Sequence, residues 1–140
     1  MEVSIHKGNH FKDHRGVLKF NNDFDASSSK RIYTIRNNSE EIQRGWLGHQ
    51  IEQRWFISIK GSFSFKIIVI DNWEKPSNNL EITEYILNSE NLDVLHVPPG
   101  HVMKIQALED DSELFVLAEY GIGEVDDECR FDVDYFFEGK

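Results

Sequence analysis

Apolar and polar residues alternate along most of the middle of the chain, which is the pattern of β-strands with one buried face. The alternation predicts strands at 31–36, 53–59, 62–71, 81–87, 94–97, 101–107 and 113–120. Turn residues separate these segments at intervals of about eight to twelve residues, and no segment of useful length has a helical period. The pattern therefore predicts an all-β sandwich or barrel.

The two ends of the chain have weaker patterns. Residues 1–30 are polar and rich in turn residues, with one short strand expected at 17–20, and we interpret them as an N-terminal arm. The acidic run at 124–128 (EVDDE) is expected to be solvated. The apolar residues after it, Phe131, Val133, Tyr135 and Phe136, are expected to dock on the barrel, since a terminal segment without a partner frays. We thus expect a single domain at 1–140 with a C-terminal tail at 121–140.

Composition and charge limit the function classes. The chain has 140 residues, of which 39% are hydrophobic and 12% aromatic, enough for a folded domain with a core. Its formal net charge of -10 would repel a nucleic-acid backbone or an anionic membrane, although local arginines could still hold a small phosphorylated ligand. The lone cysteine, Cys129, and the lack of a signal-like or membrane-spanning apolar run indicate a cytoplasmic protein.

The residues with chemical potential are concentrated in two stretches. The first, 44–56 (RGWLGHQIEQRWF), sets an arginine, a histidine, an acid and two tryptophans beside an alternating strand. The second, 95–103 (LHVPPGHVM), follows about forty residues later. We expect the two stretches to meet at the mouth of a small β-barrel.

The order of a histidine-containing glycine segment, a glycine turn and the PPG motif at 98–100 resembles the cupin barrels, which implies a double-stranded β-helix of jelly-roll-like form. Most cupins bind a metal through two histidines and a glutamate in the first motif and one histidine in the second. Here the first motif supplies His49 alone, with Leu47 two residues before it, and Met103 occupies the position of the last histidine. This falls short of the usual ligand count, so we expect no metal and no cofactor.

The ordered motifs resemble more closely the nucleotide-linked 4-keto-6-deoxysugar 3,4-ketoisomerases, which share a domain family with the C-terminal part of WxcM-type proteins. The matching pieces are Arg15-Gly16-x-Leu18, Lys30-Arg31-x-Tyr33, Arg44-Gly45-x-x-x-His49-Gln50-x-x-Gln53 with Gly61, and Pro98-Pro99-Gly100. The related dTDP-4-dehydrorhamnose 3,5-epimerases begin the central motif in the same way. The resemblance implies a homodimer, which this family often forms by exchanging N-terminal strands, as the arm at 1–30 would permit. It also implies a nucleotide-sugar ligand of the thymidine diphosphate type.

The central motif departs from this family chiefly at Leu47, and Gly48 and Gln50 also replace the family's alanine and lysine. The family's first histidine falls on Leu47, and its second, taken as the base of the ketoisomerases, falls on His49. The base of the epimerases also falls on Leu47 and is therefore absent. The chain keeps a base for isomerase chemistry but lacks the neighbouring histidine.

The resemblance implies roles for individual side chains. His49 would take a proton from the carbon beside the ketone and return it to the neighbouring carbon. Tyr33 would donate to the sugar oxygens, and Arg44 would clamp a sugar oxygen or a phosphate with its planar guanidinium. Trp46 or Trp55 would stack on the nucleobase or the sugar. The full set of predicted substrate-binding residues is Arg44, Gln53, Arg31, Trp46 and His101.

Each assignment has a structural alternative, and the function has a second interpretation. His49 could be a hydrogen-bonded core histidine, Tyr33 a packing residue, and Arg44 a partner of Glu52. The first hypothesis is a metal-independent isomerase or epimerase of a nucleotide-linked 4-keto-6-deoxyhexose in surface-polysaccharide synthesis. The second, which Leu47 favours, is a weakened cupin that binds a nucleotide sugar or glycan without turnover. A purely structural dimer is the third.

Overall fold

The computed structural model describes residues 2–139, and these form twelve β-strands without any helix. The strands are β1 (Ser4–His6), β2 (Asn9–Asp13), β3 (Gly16–Phe20), β4 (Arg31–Ile35), β5 (Gln43–His49), β6 (Arg54–Lys60), β7 (Ser62–Val69), β8 (Thr83–Asn88), β9 (Val94–Val97), β10 (His101–Ala107), β11 (Glu113–Ala118) and β12 (Glu128–Arg130). Nowhere in residues 2–139 is there a helix with the length and apolarity that a membrane span requires.

The strands form two antiparallel five-stranded sheets and one separate hairpin. The first sheet has the order β1-β9-β6-β11-β4, the second has the order β12-β5-β10-β7-β8, and β2 pairs only with β3. The two sheets pack face to face around one main core, whose largest members are Phe56, Phe63 and Phe65. The predicted all-β, jelly-roll-like barrel is confirmed.

Alternation correctly orients β6 but does not predict β5. Phe56 faces the core while Trp55 packs on the outer side of its sheet, as the period of two requires. In β5 the apolar pattern is broken by Gly45 and Gly48. A Cβ at Gly48 would lie 2.3 Å from the carbonyl oxygen of His101, so glycine is needed for β5 to run this close to β10. The close pairing fixes the place of the residue that follows, at the end of β5.

The C-terminal segment is more deeply embedded than its sequence suggests. The prediction that 124–128 is solvated is wrong for Asp127, which is buried because two backbone N–H groups and a histidine ring satisfy its carboxylate. The segment then pairs as β12 with β5, opposite His49. The apolar end docks as predicted, since Phe136 packs edge-on against Trp46 with ring centroids 5.2 Å apart.

Candidate active site

A pocket of about 710 Å³ opens at the edge of the barrel where β4, β5 and β12 come together. One wall is apolar and is formed by Leu47, Phe56, Met103 and Ile105. The other wall is polar and is formed by Tyr33, Arg36, Arg44, His49, Arg54, Glu128 and Arg130. The pocket has the size and the mixed lining that small-molecule sites usually have.

His49 is buried at this pocket and hydrogen-bonds to a carboxylate. Its Nδ1 lies 3.2 Å from Oδ1 of Asp127 and 3.8 Å from Oε1 of Glu52. Because an ionised carboxylate can only accept hydrogen bonds, Nδ1 carries the ring hydrogen and the lone pair of the neutral imidazole is on Nε2. That atom is buried and has no hydrogen-bond partner among residues 2–139. His49 therefore has the tautomer that a general base needs.

Asp127 is held as a carboxylate by the turn between β5 and β6. Its Oδ2 accepts hydrogen bonds from the backbone N–H groups of Ile51 at 2.8 Å and Glu52 at 2.7 Å. Burial raises the pKa of this carboxyl, but these two bonds and the bond from His49 outweigh it, so the pKa lies below its usual range. Asp127 is thus ionised at neutral pH and can orient the imidazole.

Tyr33 reaches the pocket from β4 and contacts two arginines. Its hydroxyl oxygen accepts a hydrogen bond from Nη1 of Arg54 at 2.6 Å, and the guanidinium of Arg31 lies 4.8 Å from the centre of its ring. Burial raises the pKa of Tyr33 above its usual 10.0, and the charges of Arg54 and Arg31 offset part of that rise. The phenol is therefore protonated at neutral pH and able to donate a hydrogen bond.

The pocket is locally cationic although the whole chain carries a formal charge of -10. Arg54 and Arg130 pair with Glu52 and Glu128, respectively. Arg36 and Arg44 form no ion pair within the described part of the chain. Such uncommitted guanidinium groups suit the oxygens of a phosphate.

Three buried residues at the back of the pocket have atoms of the kind that bind metals. The nearest such atoms of His49, Glu52 and Asp127 all lie within 4.8 Å of one another. However, Oδ2 of Asp127 already accepts two N–H groups, and Oε1 of Glu52 accepts both Nε and Nη2 of Arg54. A cation would have to compete with the Arg54 guanidinium. The donor set therefore fits a hydrogen-bonded network better than a metal centre, and a metal-free site stays a prediction.

The structure brings together three of the predicted site residues, because His49, Tyr33 and Arg44 all line the pocket. Arg44 does not pair with Glu52; its Nε instead donates to Oδ1 of Asn37 at 2.6 Å. Arg31 lies beside the pocket and borders a smaller cavity of about 160 Å³ on the far side of His49.

The other three predicted contacts lie elsewhere. Trp46 is completely buried on the outer side of the second sheet, so its ring is not available to a ligand in the pocket. Gln53 faces the outer side of the first sheet, where its Oε1 accepts a hydrogen bond from Nε2 of His96 at 2.6 Å. His101 donates from Nδ1 to the carbonyl oxygen of Pro98 and borders a different pocket.

Sequence reasoning did not find Asp127, Arg54 or Arg36. Asp127 was concealed in an acidic run, although the apolar end that follows implied that this part of the chain returns to the barrel. The alternation of β6 could have placed Arg54 on the inward face of the sheet, because it shares that face with Phe56. Arg36 follows β4 without a motif of its own.

Comparisons with known proteins agree with this fold. The sequence model of the FdtA family, described as WxcM-like, C-terminal, matches residues 1–134. No curated protein matches the sequence. Because each solved structure compared below is less than 25% identical to the chain, its likeness establishes the fold alone.

Three solved structures illustrate the likeness. A mutant of the 3,4-ketoisomerase QdtA from Thermoanaerobacterium thermosaccharolyticum, in complex with TDP-4-keto-6-deoxyglucose, is 24% identical with a TM-score of 0.70, covering 92% of this chain and 87% of that one. A 3,4-ketoisomerase from Helicobacter canadensis is 20% identical with a TM-score of 0.67, covering 89% and 87%. The dTDP-4-dehydrorhamnose 3,5-epimerase from Sulfolobus tokodaii is 18% identical with a TM-score of 0.74, covering 96% and 80%.

Proposed function

The chain belongs to the FdtA family of WxcM-like C-terminal domains, and we propose that it is a metal-independent isomerase or epimerase of a nucleotide-linked 4-keto-6-deoxyhexose. The observation that carries the proposal is the buried His49–Asp127 pair at an arginine-lined pocket. Further support comes from the similar structures of ketoisomerases and epimerases, some of which hold TDP or a TDP-sugar. The product would feed surface-polysaccharide synthesis in the cytoplasm.

The proposed reaction is a proton transfer beside a ketone. Nε2 of His49 takes the proton from the carbon next to the carbonyl, and the negative charge that develops on the carbonyl oxygen is stabilised by the hydroxyl of Tyr33. Asp127 stabilises the imidazolium that forms. Return of the proton to the former carbonyl carbon, with transfer of the neighbouring hydroxyl proton to the enediolate oxygen, moves the ketone by one position. Protonation of the original carbon from the opposite face, by a donor other than His49, inverts its configuration instead.

The nucleotide is proposed to bind through its diphosphate. Arg36 and Arg44 have no carboxylate partners within residues 2–139 and lie at one pocket with His49. Their planar guanidinium groups can each bind two phosphate oxygens. The bound diphosphate would then fix the position of the sugar relative to His49. We assign the thymidine diphosphate type because of the family match and the TDP complexes of the similar QdtA structures.

Product analysis tests this proposal. The protein is incubated with TDP-4-keto-6-deoxyglucose, and the sugar is followed by proton NMR. We expect the ketone to move or a neighbouring centre to invert, and the new signals distinguish the two outcomes. Unchanged substrate in the presence of measurable TDP binding would contradict turnover of this substrate.

The second candidate is a module that binds the nucleotide sugar without turnover, and Leu47 is the observation that favours it. Leu47 lines the pocket and pairs across the strands with Met103 and Arg130, so an apolar side chain stands where the family has a histidine. TDP should raise the melting temperature in both cases. Only an enzyme would convert the sugar. A purely structural protein would neither be stabilised by TDP nor convert the sugar.

We also propose a homodimer that is formed through the N-terminal arm. Within residues 2–139 the β2–β3 hairpin is paired with no other strand, and it exposes Phe11, Val17 and Leu18. A two-stranded hairpin with exposed apolar groups is only marginally stable alone, so a second copy is a suitable partner. Light scattering should give twice the chain mass, and Leu18→Asp should shift it towards one chain; a monomeric wild type would refute the dimer.

A further inference from the structure

The pocket has one hydrogen-bond chain that the proposed base does not use. It runs from the backbone of Tyr120 through Glu52 and Arg54 to the hydroxyl of Tyr33. Oε2 of Glu52 accepts the N–H of Tyr120 at 3.0 Å, and Oε1 accepts Nε and Nη2 of Arg54 at 3.0 Å and 2.6 Å. Nη1 of Arg54 then donates to Tyr33 at 2.6 Å.

Each side chain in this series of hydrogen bonds is held by defined partners. Glu52 is 4% exposed and Arg54 is 13% exposed in their side chains, so the ion pair is largely shielded from water. A guanidinium whose Nε and Nη2 both donate to the same carboxylate oxygen has little freedom to turn. Glu52 therefore fixes the direction in which Arg54 presents Nη1 to the phenol.

The direction of the Tyr33 hydrogen follows from the chemistry of its partner. A guanidinium is a donor only, so Tyr33 must use its oxygen as the acceptor and keep its hydrogen for another group. Within residues 2–139 that hydroxyl has no acceptor. Tyr33 lines the pocket, and a ligand oxygen there is the group that could receive the hydrogen.

We propose that Glu52 and Arg54 are positioning residues that hold Tyr33 as the proton donor opposite His49, in the place of the histidine that Leu47 replaces. The inference rests on the proposed function. In the first half-reaction, His49 takes the carbon-bound proton, the C–H electron pair forms a C=C bond, and the ketone oxygen takes the proton of Tyr33. In the second, the phenolate takes the proton from the adjacent hydroxyl, which becomes the new ketone, and His49 returns its proton to the former carbonyl carbon.

The charges around Tyr33 favour this role. Arg31 and Arg54 face the phenol as cations, with guanidinium carbons 4.8 Å and 5.7 Å from the ring centre. Glu52 and Glu128 are the acidic groups that act against them, and His49 lines the same pocket. The two nearby cations stabilise the phenolate that forms during each turnover.

The first test measures Tyr33 without any substrate. The protein is labelled with 3-fluorotyrosine, whose lower intrinsic pKa brings the titration into a range that the fold tolerates, and is followed by fluorine NMR, with Tyr33→Phe to assign the signal. Arg54→Gln should raise the pKa of Tyr33 by about one unit or more, because an opposite charge within reach is removed. Arg54→Lys, which keeps the charge, should restore much of the difference.

Arg130→Gln is the matched control for this titration. It removes the same charge from the same pocket, but Arg130 pairs with Glu128, whereas Tyr33 has its cation contacts with Arg31 and Arg54. Its phenol pKa should stay close to that of the wild type. If Arg54→Gln proves too unstable, Glu52→Gln combined with Arg54→Gln removes the buried pair together, and the pKa of Tyr33 should still rise.

Glu52→Gln alone separates position from charge. Loss of this anion should not raise the pKa of Tyr33, but it releases Arg54, so kcat should fall at least tenfold with little change in KM. An unchanged kcat would overturn the positioning role of Glu52. An unchanged phenol pKa in Arg54→Gln would overturn the inference even if the enzyme turns over. The expected pKa shifts without turnover would instead refute the proposed function and, with it, the proton-donor role, and only the electrostatic coupling of Arg54 to Tyr33 would stand.

Discussion

The barrel has two open edges, and each has a pocket with a buried histidine. The edge at β4, β5 and β12 has the 710 Å³ pocket with His49, and the edge at β7 and β8 has a 580 Å³ pocket with His101. The two histidines are direct neighbours across β5 and β10. The similar sizes do not distinguish the pockets, but the charges do: four arginines line the first, whereas no lysine or arginine of residues 2–139 lines the second.

The hydrogen-bond partner of the imidazole Nδ1 decides what a buried histidine can do. Nδ1 of His49 faces the ionised Asp127, whereas Nδ1 of His101 donates to a neutral carbonyl oxygen at 3.0 Å. Both partners fix the tautomer, but only the carboxylate stabilises the imidazolium that appears when Nε2 takes a proton. The first edge thus combines a histidine with a free Nε2 lone pair, a carboxylate that can act as its counter-charge, and arginines of the kind that suit a phosphorylated ligand.

The largest expected effect comes from replacing the two histidines in turn. His49→Asn should lower the rate of sugar conversion by roughly 1,000-fold, since the base is removed. His101→Asn should leave the rate within a small factor of the wild type, because no proton is exchanged at that edge. Initial rates by NMR check both, and equal losses would erase the distinction between the edges.

Asp127→Asn should have the next largest effect, a fall in kcat of roughly 100-fold. The asparagine oxygen would be taken by the N–H groups of Ile51 and Glu52, which turns its amide hydrogens towards His49 and favours the tautomer without a free Nε2 lone pair. Nitrogen-15 NMR of the imidazole reports the tautomer directly. A wild-type kcat in this variant would mean that the carboxylate only supports the fold.

Arg44→Ala should weaken TDP binding about tenfold or more, because a charge-assisted contact to phosphate is lost. Tyr85→Phe, at the opposite edge, is the control and should leave the Kd for TDP unchanged. Calorimetric titration measures both. Loss of binding in Tyr85→Phe and not in Arg44→Ala would move the nucleotide to the other pocket.

The smallest expected effect concerns the tail that brings Asp127 to the first edge. Burial raises the pKa of Glu138, but hydrogen bonds from Lys104 and Lys66 lower it below its usual 4.5. A carboxyl group whose pKa is lower in the folded state stabilises the fold, and this stabilisation is fully present above the unfolded pKa. It is lost as the pH falls through the folded pKa. Glu138→Gln should therefore lower the free energy of unfolding at pH 7 and progressively less below pH 4.5 in urea titrations. A penalty that does not vary with pH would exclude the ion pair as its cause.

The fold could be predicted from sequence because it depends on local alternation that recurs in strand after strand. His49, Tyr33 and Arg44 could be predicted because they occur in ordered motifs. Asp127 could not, since its contact with His49 spans 78 residues and depends on the pairing of a three-residue strand. The sequence of that strand has no alternation to reveal its partner.

The positions of Gln53 and Arg54 illustrate a second limit. The motif drew attention to Gln53, yet alternation with Phe56 puts Arg54 on the inward face and Gln53 on the outward face. Trp46 is similar, because an aromatic beside a motif is as suitable for packing under a docked tail as for stacking on a ligand. Which of the two roles applies depends on the register of β5 and on the docked tail, which no local pattern reveals.

Proton exchange by the wild-type protein is the most decisive test of His49 as the base. The protein is mixed with TDP-4-keto-6-deoxyglucose in deuterium oxide, and the signal of the hydrogen beside the ketone is followed by NMR, with His49→Asn in a parallel sample. If His49 is the base, deuterium should enter at this carbon with the wild type and not with the variant. No incorporation by the wild type while TDP binds, or equal incorporation by both, would contradict the assignment of His49 as the base.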